Sequence, residues 1–187
     1  MNMGFAQHNK KDLAIVFLLA LCGILIGYIA LLPQISCHCN TTAEALVSPK
    51  AQDDIIEFIR SAKESIDIQM YILTSEEVMR ELGLAAQRGV QVRIILEPRV
   101  EDARKQRVFS LLSASGCQVR WASLSYKLTH SKMIIIDKKK AIVGSINLSK
   151  SALTENREVA VKIEGKPVEE LLKIFEEDWE KALGSYS

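Results

Sequence analysis

Residues 13 to 32, LAIVFLLALCGILIGYIALL, run for twenty positions without a charge. Hydrocarbon offers no partner for a backbone N–H or C=O, so a run this long and this apolar has one stable form there, a helix. Twenty residues at about 1.5 Å each match a bilayer core of about 30 Å. The run predicts one N-terminal transmembrane helix and divides the chain into a tail over 1–12, an anchor over 13–32, a polar linker over 33–50 and one domain of ordinary size over 51–187. A cleaved signal peptide fits less well, because its apolar stretch would span about 7 to 15 residues with a small-residue cleavage site close behind. Lys10 and Lys11 precede the run and no basic cluster follows it soon, which places the N-terminus in the cytoplasm and the domain on the outer side. Cys22 lies in the run, Cys117 lies in a predicted strand, and Cys37 and Cys39 flank His38 in the linker. Three crowded ligands without a second pair make a poor zinc site, and the segment reads as a juxtamembrane linker.

Beyond the linker the apolar period changes repeatedly. From Asp53 or Asp54 onward, Ile55, Ile56, Ile59 and Ala62 fall on one helical face, and SIDIQMYIL then sets Ile66, Ile68, Met70 and Ile72 against a mixed second face. Thr74-Ser-Glu-Glu77 has the spacing of a capping box, Gly89 ends the helix it starts, and VQVRIIL is the next strand. A helix over about 101 to 114 leads to CQVRW, and two more strands, EVAVKI and a final helix follow. That helix stacks Val168, Leu171, Leu172, Phe175, Trp179 and Ala182 on a single stripe. Alternating strands and helices predict an α/β domain, and the later strands, which lack intervening helices, predict a mixed β-sheet flanked by helices. Its functional edge is expected where strands 131 to 137, 141 to 145 and 158 to 163 meet.

The densest chemistry lies in THSKMIIIDKKKAIVGSINLS, residues 129 to 149. His130 and Lys132 are two apart at the start of an apolar strand, so both side chains point the same way. A cation beside the imidazole disfavours a second positive charge and helps keep the ring in its nucleophilic neutral form. From Arg120 to Arg157 eight Lys and Arg face two acids, although the whole chain carries a formal charge of only +1. The local surplus points to an anionic partner. Lys138, Lys139 and Lys140 read as a solvated turn between two apolar strands.

His130, Lys132, Asp137, Gly144, Ser145 and Asn147 spell H-x-K-x4-D-x6-G-S-x-N. This pattern resembles the HKD motif of the phospholipase D superfamily, and Asn156-Arg157-Glu158 continues it with N-x-E. The resemblance covers residues from about 50 to 183. A single motif in a short chain behind an apolar segment is similar to the small subfamily that includes Nuc-type endonucleases and mitochondrial cardiolipin hydrolase. The resemblance implies phosphodiester cleavage through a phosphohistidine, with no metal and no cofactor. In that chemistry His130 attacks phosphorus, Lys132 and Asn147 bind the non-bridging oxygens, and Ser145 adds a hydrogen bond. Glu158 accepts a proton from the other imidazole nitrogen and orients the ring. Asp137, five residues beyond Lys132 and so on the opposite face of a regular strand, is assigned to structure, and Gly144 is expected to let the backbone approach the substrate closely.

In-line displacement puts nucleophile and leaving group on opposite sides of phosphorus, so the leaving oxygen needs a proton donor that His130 cannot supply. His8 precedes the anchor and His38 lies beside it. A second His130 from another chain would complete the site, and the resemblance implies the same arrangement, a homodimer with a shared active site. Three functions stay open. The anchor favours a phospholipid phosphodiester. The basic surplus favours a nucleic-acid phosphodiester, although only Trp121 and Tyr126 stand nearby as stacking platforms. The third is a non-catalytic membrane binding module. The selecting residues are expected in the loops 98 to 107 and 122 to 129.

Overall fold

The computed structural model describes residues 5–31, 41–101 and 103–184, with side chains in the first helix described from 12 to 28. The chain divides into two compact units, residues 1–38 and 39–187. The first holds one helix, α1 (Phe5–Leu31), whose described apolar side chains, Leu13, Phe17, Leu21 and Ile24 among them, are all exposed. Among the described residues no helix is long and apolar enough to cross a membrane. The run expected to form the anchor continues to Leu32, beyond the last described side chain at Tyr28. Lys10, Lys11, His8 and the Cys37-His38-Cys39 segment likewise lie outside the residues whose side chains are described.

The second unit is a seven-stranded mixed sheet flanked by helices. In chain order it contains β1 (Thr42–Val47), α2 (Ala51–Arg60), β2 (Ser65–Met70), α3 (Glu76–Gln87), β3 (Gln91–Leu96) and α4 (Lys105–Ala114). There follow β4 (Gln118–Trp121), β5 (Lys132–Ile136), β6 (Lys140–Gly144), α5 (Lys150–Thr154), β7 (Val159–Glu164) and α6 (Pro167–Lys181). The strand order is β1-β7-β6-β5-β2-β3-β4. The strands β2, β3 and β4 run parallel, joined by the helical crossovers that parallel pairing requires, and the remaining pairs are antiparallel.

Several expectations change here. The segment read as linker over 33–50 contains β1, which pairs with β7 and forms the sheet edge, so β5, β6 and β7 are neighbours in the interior and not an edge. Only Leu46 of β1 is buried, and one buried residue leaves no apolar period to read. A single turn of helix, α5, also separates β6 from β7, started by Ser149, whose side chain accepts from the Ala152 N–H. At α3 the N-cap is Ser75 and not Thr74: its hydroxyl accepts from the Val78 N–H and binds Glu77. Gly89 follows the helix with a φ of 87°, the left-handed conformation that glycine adopts at least cost.

The core lies on both faces of the sheet. Ile66, Ile68, Ile94, Ile134 and Ile136 pack under α2, α3 and α4 on one side, and Ile95, Met133 and Ile135 pack under Val168, Phe175 and Trp179 of α6 on the other. The second face of β2, mixed in sequence, is thereby buried as well. Asp67, fully buried, accepts from Arg93 Nε at 2.7 Å, and the same guanidinium binds both oxygens of Glu176 on α6 at 2.7 and 2.9 Å. Burial pushes the Asp67 carboxyl above its ordinary value, against the opposing pull of Arg93.

Asp137 sits in the β5–β6 turn with Lys138, both at positive φ, and the Lys139 N–H closes the turn on Ile136 O. Its carboxylate accepts from the backbone N–H groups of Lys63, Glu64 and Ser65 at 2.7 to 3.1 Å, which fastens the hairpin to the start of β2. Burial works against the charge, but these three donors and Lys139 hold the carboxyl below the usual aspartate value. Asp137→Ala is expected to cost about 1–3 kcal/mol, read as a lower urea midpoint at unchanged m. A depressed folded pKa stabilises above the unfolded value of about 4 and ceases to do so as pH falls through the folded one. The gap between wild type and variant should therefore close in acid.

Candidate active site

Lys132 opens β5, Gly144 closes β6, and Glu158 immediately precedes β7, so three adjacent strands deliver their ends to one place. His130, Lys132, Gly144, Ser145, Asn147 and Glu158 line a single open depression of about 410 Å³. Asp137 lies at the other end of β5. Of the residues singled out in sequence, six meet and one stands apart as a structural group.

The imidazole is exposed and the lysine beside it is buried. Lys132 Nζ donates to the His130 carbonyl oxygen at 2.6 Å and lies 3.0 Å from His130 Nδ1. An ammonium only donates, so the ring nitrogen facing it is the acceptor. Burial lowers the Lys132 pKa from the ordinary lysine value, and the nearby Glu158 carboxylate opposes that shift.

Asn147 Oδ1 accepts from the Ile72 N–H at 3.2 Å. That backbone donor assigns the amide orientation and leaves the Asn147 NH2 as a donor in the depression. Among the described contacts Glu158 does not bind the imidazole as expected. Its Oε2 accepts from Ser145 Oγ at 2.5 Å and its Oε1 from Asn156 Nδ2 at 3.4 Å. Ser145 Oγ in turn accepts from the Val159 N–H at 3.2 Å, so while its one proton is given to Glu158 it has none for a substrate oxygen. Gly144 has a different neighbour from the one expected. A Cβ there would fall 2.4 Å from Ala160 Cα and from the Val159 carbonyl oxygen, so the approach of β7 by itself requires the glycine.

Two residues of this region carry no signal in the motif. Tyr71, directly after β2, places its ring centroid 4.4 Å from that of His130 and 4.9 Å from Lys132 Nζ. Glu97, buried at the end of β3, accepts from the Thr129 N–H at 2.7 Å and from the Arg99 side chain, while Arg99 Nη1 donates to the Tyr126 carbonyl oxygen. Burial would raise the Glu97 pKa, but the donors of Arg99 and Thr129 hold it below the ordinary glutamate value. A carboxylate directly after the apolar run Ile94-Ile95-Leu96 was the available hint. The loop so fastened exposes Leu124, Tyr126 and Leu128 just ahead of His130. Trp121, considered as a stacking platform, is buried against Phe109 with ring centroids 4.7 Å apart. Among the described residues no group of three or more His, Cys, Asp or Glu is placed to hold a metal ion.

Residues 55–179 match the family described as Cardiolipin synthase, PLD-like domain. The mitochondrial cardiolipin hydrolase of Canis lupus familiaris is 29% identical over 153 residues, 80% of this chain and 55% of that protein. The 5'-3' exonuclease PLD3 of Xenopus tropicalis is 31% identical over 158 residues, 73% of this chain and 32% of that protein. The matches to these two curated relatives thus span about a third to a half of their lengths. Among solved structures, the phospholipase D family member Nuc from Salmonella typhimurium superimposes with a TM-score of 0.73 at 30% identity, covering 79% of this chain and 99% of that one.

Proposed function

The chain belongs to the family of phospholipase D-like domains, and from that premise we propose that it hydrolyses a phosphodiester through a phosphohistidine on His130. The observation that carries this reading is the meeting of His130, Lys132 and the Asn147 amide in one open depression. A phosphoryl group entering it offers Lys132 an oxygen acceptor in place of His130 Nδ1 and so frees the imidazole as it binds. The imidazole nitrogen then bonds to phosphorus as the bond to the leaving oxygen breaks, with the new charge on the non-bridging oxygens met by Lys132 and Asn147. The leaving oxygen takes its proton from a second His130, supplied by a partner chain in a homodimer with a shared site. Water, giving a proton to the partner subunit's now-neutral His130, cleaves the N–P bond, releases the phosphomonoester and restores both rings.

The substrate we assign is a phospholipid. Leu124 and Leu128 are exposed on the loop that leads into His130, Trp121 is withdrawn from stacking, and the uncharged run over 13–32 supports attachment to a bilayer. A nucleic-acid substrate is the second reading, favoured by the basic surplus around the motif and by the exonuclease relative. The test is a side-by-side assay of the detergent-solubilised full chain on phosphatidylcholine, cardiolipin and single-stranded DNA, with EDTA present. Release of phosphatidic acid or an equivalent phosphomonoester lipid is expected, undiminished by the chelator. Cleavage of DNA alone reverses the assignment of substrate, and loss of activity on chelation with recovery on adding a divalent ion overturns the phosphohistidine.

A further inference from the structure

We infer that Tyr71 is a positioning residue for the His130–Lys132 pair, holding imidazole and ammonium in register. The role rests on the phosphodiesterase reading of the site. The backbone sets the ring in place, since the Tyr71 N–H donates at 3.1 Å to the carbonyl oxygen of Ser131, the residue between His130 and Lys132. The tyrosine is thus locked to the two-residue repeat that aims both functional groups. Its side chain is half-buried, with the imidazole tilted by 54° at 4.4 Å and Lys132 Nζ at 4.9 Å from the ring centroid. An aromatic face attracts an ammonium through its quadrupole and contacts an imidazole without demanding a hydrogen bond. One ring therefore restrains both groups while leaving their donors and acceptors for each other and for a phosphate.

Tyr71 does not line the depression formed by His130, Lys132 and Asn147. It faces a separate small cavity with Leu96, Glu97 and Trp121. A ring that touches the imidazole and the ammonium without lining the depression acts through their positions, which separates this role from that of a proton donor. The ring and not the hydroxyl makes these contacts, so phenylalanine should replace it and an aliphatic side chain should not.

The experiment compares Tyr71→Phe, Tyr71→Leu and Tyr71→Met in the detergent-solubilised full chain, with kcat and KM measured on the substrate found active. Nitrogen-15 histidine spectra give the tautomer and environment of His130, assigned by comparison with His130→Ala. Tyr71→Phe should hold kcat within about twofold, while the two aliphatic variants lose about 10- to 100-fold, mostly in kcat, as expected for reacting groups displaced by a fraction of an ångström to an ångström. The His130 ring resonances should stay in place in the phenylalanine variant and shift in the aliphatic ones. Unshifted resonances in folded Tyr71→Leu or Tyr71→Met overturn the inference. A phenylalanine variant as impaired as the aliphatic ones overturns it in favour of the hydroxyl. The spectra decide even where no phosphodiester is cleaved, so failure of the functional reading and failure of the positioning role are distinguishable.

Discussion

Activity per wild-type chain is expected to fall to about a tenth when wild-type chains are co-expressed with a ninefold excess of His130→Ala chains. The second unit has a single histidine in its described residues, and the reaction proposed for it uses two imidazoles, one to attack and one to protonate the leaving oxygen. Random pairing at that ratio leaves about one dimer in a hundred with both rings, although one chain in ten is intact. A site complete within one chain would instead keep its full activity per wild-type chain at every ratio. His130→Ala alone should lower turnover by about 10⁴-fold or more, the scale on which loss of a nucleophile registers. Because the imidazole is exposed, the variant should melt with the wild type. Full activity in a demonstrably monomeric preparation would show that the proton comes from another residue of the same chain.

The second large effect concerns the fold. Arg93→Ala removes the guanidinium between Asp67 and Glu176 and leaves the fully buried Asp67 without its charge partner. Breaking a buried pair in this way costs about 3–5 kcal/mol, a large share of the roughly 5–15 kcal/mol that holds a domain together. The melting temperature should drop by about 10–20 °C. The loss should exceed that of Glu176→Gln, since the Glu176 side chain remains 44% exposed to solvent. Replacing the inner pair together, as Arg93→Met with Asp67→Leu, should recover much of the loss, because apolar groups of similar volume need no charge partner. A single Arg93→Ala variant that melts within a few degrees of wild type would mean that water reaches Asp67.

The motif residues could be placed from sequence because the geometry joining them is short-range. His130 and Lys132 are held two apart on one extended segment, and Asn147 returns beside them through the β5–β6 hairpin, whose register pairs Met133 with Val143. Period is a local property, and it set His130 and Lys132 on one face of the strand and Asp137 on the other, while the resemblance to the HKD motif brought in Ser145 and Asn147; the four line one depression and Asp137 lies away from it. The apolar stripe of α6 was legible for the same reason, with Val168, Phe175 and Trp179 buried as its spacing requires.

Only the tertiary structure decided which groups those local segments meet. The strand β1 is an edge with one buried residue, so its place beside β7 depends on a partner more than a hundred positions away and leaves no mark in its own sequence. Asp67 reads as the polar face of a half-exposed strand until α6 covers that face and brings Glu176 to Arg93. Glu158 turns to Ser145, Gly144 yields its space to Ala160, and Tyr71 reaches His130 from the end of a different strand. Each of these contacts joins segments separated by many residues, where the energy of packing and of satisfying buried polar groups outweighs any local preference. The chemical inventory of the site was therefore written in the sequence, while its hydrogen-bond partners were set by the way distant strands and a helix close around it.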